Sequence, residues 1–78
     1  KKFQIIKELT ILIKKKYQTK YLNLIDGIRV NLDYGWYLIR ASNTESSIII
    51  RIDGKTTQNL VDLKNEVRDF LKIFDLTF

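Results

Sequence analysis

The hydrophobic period of this chain changes twice, and those two changes leave few architectures open. From Phe3 to about Tyr17 the apolar residues Phe3, Ile6, Leu9, Ile13 and Tyr17 recur at helical spacing, with Ile5 and Leu12 widening the stripe. After Lys20 the pattern alternates instead. Tyr21 to Ile25 reads as a strand, and Asp26-Gly27 as a hairpin turn, because glycine accepts φ > 0 without a steric cost. Ile28, Val30 and Leu32 then alternate with Arg29, Asn31 and Asp33, giving a strand with one apolar and one wet face. Asp33-Tyr34-Gly35 makes the next turn, Trp36–Ala41 the third strand, Ser42–Ser47 a polar loop, and Ile48–Asp53 a β-branched strand that stops at Gly54. From Thr57 helical spacing returns through Leu60, Leu63, Val67, Phe70, Leu71 and Phe74, with Thr56 or Thr57 as the N-cap.

Four strands with short connections pair antiparallel, and such a sheet can leave one face for helices. The order helix-β-β-β-β-helix therefore predicts an α+β fold, a four-stranded antiparallel sheet with two helices packed on one face. Residues 1–78 form a single domain, and a chain of this size buries only about 60% of its unfolded surface. At 45% hydrophobic residues it is too apolar for disorder, and no apolar run approaches the length of a membrane span.

Composition narrows the chemistry. Without cysteine the chain has neither a disulfide framework nor a thiolate nucleophile, and its redox compartment stays open. Without histidine as well, the usual zinc sites and histidine-based triads are excluded. The chain contains no methionine, so Lys1 reads as the start of a processed chain or of a piece of something longer. The charge distribution favours the second reading. Residues 1–22 carry seven lysines against one Glu, whereas residues 23–78 carry seven Lys/Arg against eight Asp/Glu. The basic excess thus sits in the first helix, where a solvated lysine face is the plain reading and a membrane or nucleic-acid surface the other.

Residues 40–45, Arg-Ala-Ser-Asn-Thr-Glu, do not fit a purely structural account. One guanidinium, two hydroxyls and an amide stand between two apolar strands. A phosphate dianion suits that set: a planar fork for two oxygens and short neutral donors for the third. The same residues make poor catalysts, since no base stands by to activate Ser42 or Thr44. Hairpin loops are rich in Ser, Asn and Thr for their own reasons, so composition alone leaves the loop open between the two readings. Asp26, Asp33 and Asp53 fall at strand ends and turns and imply no metal cluster. Tyr34, Trp36 and Tyr37 could make a base-stacking platform, but no basic-aromatic motif of the RNA-binding type accompanies them. Arg29 and Arg51 read as solvent-facing strand residues that could line a cleft if the sheet faces one.

The order of the motifs carries more than the loop alone. Asp26-Gly27-Ile28-Arg29-Val30, then Gly35-Trp36, then Arg40-Ala41-Ser42-Asn43-Thr44-Glu45 resembles the D-G-[VI]-R-V … G-W … R-[AP]-S-[GN]-T-E-P signature of the α-D-phosphohexomutases, in their C-terminal fourth domain. The Arg-Ala-Ser-Asn-Thr form is similar to the bacterial phosphomannomutase/phosphoglucomutase branch. The likeness spans about Tyr21 to Phe74, with one departure: Ser46 stands where the family usually has proline, which loosens the loop's exit.

The resemblance implies a four-domain parent enzyme, an intramolecular phosphotransferase interconverting hexose 1-phosphate and 6-phosphate. A phosphoserine in the first domain would pass phosphate through a sugar bisphosphate. Mg2+ would sit in the second domain, and the sugar would be read mainly by the third. The fourth domain would clamp the non-transferred phosphate of a mannose or glucose phosphate through Arg40, Ser42, Asn43 and Thr44. On this reading the 78-residue piece holds no catalytic residue and no metal, is inactive alone, and partners the other domains of a cytoplasmic enzyme rather than nucleic acid or membrane. Glu45, beside a phosphate, has a structural task. The alternatives are a free-standing anion- or RNA-binding module, or a glucosamine- or acetylglucosamine-specific relative with the same phosphate loop.

Overall fold

A computed structural model describes residues 2–42 and 47–76. Helix α1 spans Lys2–Lys16, strands β1 to β4 span Leu22–Asn23, Ile28–Leu32, Gly35–Ala41 and Ile48–Gly54, and helix α2 spans Thr57–Lys72. The strands form one antiparallel sheet in the order β1-β2-β3-β4, a simple meander. The α+β architecture expected from the two changes of period is the one observed.

Alternation in β3 decides which face takes the helices. Gly35, Tyr37, Ile39 and Ala41 are buried, while Trp36, Leu38 and Arg40 between them face the other way. Register extends that face across the sheet, since Tyr37 pairs with Val30 and Ile52, and Ile39 with Ile28 and Ile50. Leu9 and Ile13 of α1 and Leu63, Val67 and Leu71 of α2 close over it, one helical turn apart on each helix. Truncating any of these buried leucines to alanine would cost about 2–5 kcal/mol. Thr56 caps α2, its hydroxyl accepting from the Asn59 amide at 3.0 Å, and so resolves the choice between Thr56 and Thr57.

The first strand is shorter than its alternation suggests. Tyr21 closes a 3-10 turn over Thr19–Tyr21 by donating its amide to the Gln18 carbonyl, so β1 cannot start there. At the other end the Ile25 amide donates to Asn23 Oδ1 at 3.0 Å. That side-chain turn replaces the next rung of the ladder and leaves Leu24 and Ile25 exposed.

Glu66 of α2 ties the layers together. Its carboxylate accepts from Tyr17 Oη, from Tyr37 Oη at 2.8 Å and from Lys16 Nζ at 2.8 Å, joining the end of α1, β3 and α2. Burial, and then the hydrogen bonds to Glu66, hold both phenols protonated well above the ordinary tyrosine range. Among the described residues no helix is long and apolar enough to cross a membrane.

Candidate functional site

Arg40 is the penultimate residue of β3 and lies on the face away from the helices, half-buried, at the point where the strand gives way to the loop. The reason for its place is Gly27. With φ +80 that glycine turns the chain between β1 and β2 tightly against β3: an added Cβ would stand 2.6 Å from Arg40 Cβ and collide with the Ile39 carbonyl oxygen. The Asp26-Gly27 dipeptide therefore does more than reverse the chain. It presses a turn against the arginine and brings Asp26 Oδ2 to 3.7 Å from the Arg40 guanidinium.

Ser42 follows, 6% exposed and the one buried polar side chain among the described residues. Its amide donates to the Ser47 carbonyl at 3.0 Å. Its own carbonyl accepts from Lys2 Nζ, forty residues away in sequence. Asn43 and Thr44, the other two expected phosphate ligands, lie outside the described residues, as do Glu45 and Ser46. Of the four, Arg40 lies one residue before the end of β3 and Ser42 is the first residue after it. Sequence reasoning missed Lys2 and treated Asp26 as a turn residue only.

The other sequence candidates distribute as the alternation dictates. Arg29 and Arg51 share the open face with Arg40, and both register with Leu38, one from each side. Arg29 is already engaged, donating Nε to Asn31 Oδ1 at 2.8 Å with its guanidinium 4.1 Å from the Trp36 ring. Arg51 is exposed on the edge strand. Trp36 and Tyr37 point to opposite faces, the latter fully buried, so the three aromatics do not assemble into one stacking platform. Among the described residues no three acidic side chains gather as metal ligands.

A groove of about 670 Å³ lies on the opposite side, between α1 and α2, lined by Leu12, Lys16, Asp62, Glu66 and Phe70 among others. It is remote from Arg40, and the carboxylate at its edge is the one already occupied by Tyr17, Tyr37 and Lys16. Phenols held protonated and a carboxylate with several donors make a structural tie, not a proton-transfer site. At the loop end of β3 the described residues place the Arg40 guanidinium with the Asp26 carboxylate, the buried Ser42, and the Lys2 ammonium on the Ser42 carbonyl.

Residues 1–70 match the family described as phosphoglucomutase/phosphomannomutase, C-terminal domain. Phosphomannomutase/phosphoglucomutase of Pseudomonas aeruginosa is 37% identical over 54 residues, 69% of this chain. A probable phosphoglucosamine mutase of Methanothermobacter thermautotrophicus is 39% identical over 56 residues, 70% of the chain. Another, of Methanopyrus kandleri, is 31% identical over 67 residues, 83% of the chain. The chain spans only 12% of the length of the first two relatives and 15% of the third.

Proposed function

From the premise that this chain belongs to the phosphoglucomutase/phosphomannomutase family, as its C-terminal domain, we propose that it holds the non-transferred phosphate of a hexose phosphate while the rest of a cytoplasmic parent enzyme moves the other. The observation that carries this reading is the position of Arg40. A half-buried guanidinium at the end of β3, two positions before Ser42, offers a dianion a fork of donors on the sheet face that the helices leave open. Ser42, Asn43 and Thr44 complete the set with short donors.

Holding the far phosphate orients the near hydroxyl of the sugar, so the domain contributes positioning and not bond-making. Closing over the sugar would also keep water from a phosphoenzyme. Mg2+ would serve phosphoryl transfer in the parent by offsetting charge on the moving group. The described residues offer it no carboxylate cluster, and nothing in the phosphate-holding role requires it. Relatives named for mannose, glucose and glucosamine phosphates all carry the same phosphate group, which is the part of the substrate this loop would meet.

The test compares the chain with its Arg40→Ala variant in mannose 6-phosphate binding, followed by calorimetry. The parent chain is expected to bind weakly and the variant not measurably, with the thermal midpoint nearly unchanged because the Arg40–Asp26 pair is partly exposed. A variant that binds equally well defeats the reading, and one that unfolds makes Arg40 a structural residue. No turnover of hexose phosphate by the 78-residue chain alone is expected.

A further inference from the structure

We infer that the groove between α1 and α2 is the docking surface for a second copy of this chain, the two copies meeting helix layer to helix layer about a two-fold axis that runs along the groove. The inference is independent of the phosphate reading, since this surface lies on the side of the sheet opposite Arg40.

The groove has an apolar floor and two lips of opposite sign. Leu12, Phe70 and Ile73 make the floor, Lys15 stands on the α1 side, and Asp62 and Asp69 stand seven residues apart on the α2 side. Ile11 and Ile73 line the hollow that adjoins it and are 51% and 62% exposed, so the apolar strip continues beyond the groove into solvent. Lys16 and Glu66 already pair across the two helices at 2.8 Å. Lys15 and Asp69 form no ion pair or hydrogen bond among the described residues, which leaves one charge of each sign uncommitted.

The signs choose the occupant. A uniformly basic partner is repelled by Lys15, and a uniformly acidic one by Asp62 and Asp69. A copy of the same groove, turned over, meets neither obstacle. The two helices run antiparallel, with Lys16 level with Glu66 and Ile11 level with Ile73. Half a turn about the groove therefore lays α1 of one copy over α2 of the other at the same height. Lys15 then faces the Asp62–Asp69 stretch of the second copy, Ile11 faces Ile73, and every contact occurs twice. The apolar floors close on each other between two layers of helices.

The experiment is sedimentation equilibrium of the chain from about 10 μM to about 1 mM, where the average mass should rise from 9.3 kDa toward twice that value. Lys15→Glu and Asp69→Lys each set like charges together at both symmetric contacts, and each should weaken self-association about fivefold or more. Thermal midpoints of both variants should stay close to the parent's, since both side chains are exposed. An equimolar mixture of the two variants should recover association to within about twofold of the parent. In the mixed dimer the reversed charges face each other at one contact, and the original Lys15–Asp69 pair remains at the other. A chain that stays monomeric throughout overturns the inference, as does a dimer that neither charge reversal weakens, because its interface then lies elsewhere. Variants that weaken singly and do not recover on mixing also overturn it, since the contacts would not be reciprocal. None of these outcomes bears on sugar-phosphate binding at the other face.

Discussion

The guanidinium of Arg40 faces the carboxylate of Asp26 at 3.7 Å, across a turn that only a glycine at position 27 allows to come so close. The side chain of Asp26 is 71% exposed and that of Arg40 28%, so the pair is a loose one whose worth is about 0–1 kcal/mol. A phosphate dianion with bidentate geometry would compete for the same guanidinium on favourable terms.

Asp26→Asn is therefore expected to change stability by less than about 0.5 kcal/mol. It should strengthen mannose 6-phosphate binding modestly at low salt, with the gain fading as salt is added, because a competing negative charge leaves the site. Denaturant midpoints and binding isotherms at two ionic strengths check both halves. Weaker binding by the variant would show that Asp26 aims the arginine and does not compete with the ligand.

Gly27→Ala should be far more damaging than its size suggests. The backbone stands at φ +80 and the new Cβ would press on Arg40 Cβ and the Ile39 carbonyl, so a loss of about 1–3 kcal/mol is expected. Urea unfolding measures it. Since the strain falls on the backbone of Arg40, phosphate binding by the folded fraction should weaken too. A neutral substitution would mean that the turn can move away from β3.

Alkaline pH should loosen the fold through the tyrosines bound to Glu66. Both phenols are raised from the ordinary value of 10.0, by burial first and by the Glu66 hydrogen bonds next. An unfolded chain sheds these protons near pH 10 while the folded chain keeps them, so stability is whole below pH 10 and falls as the pH climbs past it. Tyr37→Phe removes one such phenol. It should be about 1 kcal/mol less stable at neutral pH for the lost hydrogen bond. Its decline above pH 10 should be shallower, by up to about 1.4 kcal/mol per pH unit. Urea midpoints from pH 8 to pH 11 compare the slopes, and parallel curves would contradict the assignment.

What the sequence made legible follows from periodicity. Leu9, Ile13, Leu63, Val67 and Leu71 lie at helical spacing and Ile28, Val30, Tyr37 and Ile39 alternate, and both patterns report burial on one face directly. The end of β1 was not legible, because Tyr21 to Ile25 are strand-forming residues whose ladder is cut by a 3-10 turn and by the Asn23 side chain, local hydrogen bonds that propensity does not register. Arg40 and Ser42 were visible as donors in a loop. Lys2 was not, since its partner lies forty residues on and nothing in the local pattern of α1 joins the two. The tie between Tyr17, Tyr37 and Glu66 was hidden for the same reason: each residue had an adequate explanation within its own element.

The central claim is that the loop after β3 receives a phosphate group. An amide chemical-shift titration with mannose 6-phosphate, run beside a short single-stranded RNA, tests it most directly. The account predicts weak, saturable shifts concentrated at residues 40–47, and little response to RNA. Shifts spread over the lysines of α1 and Trp36 with RNA, and none in the loop with the sugar phosphate, would contradict it.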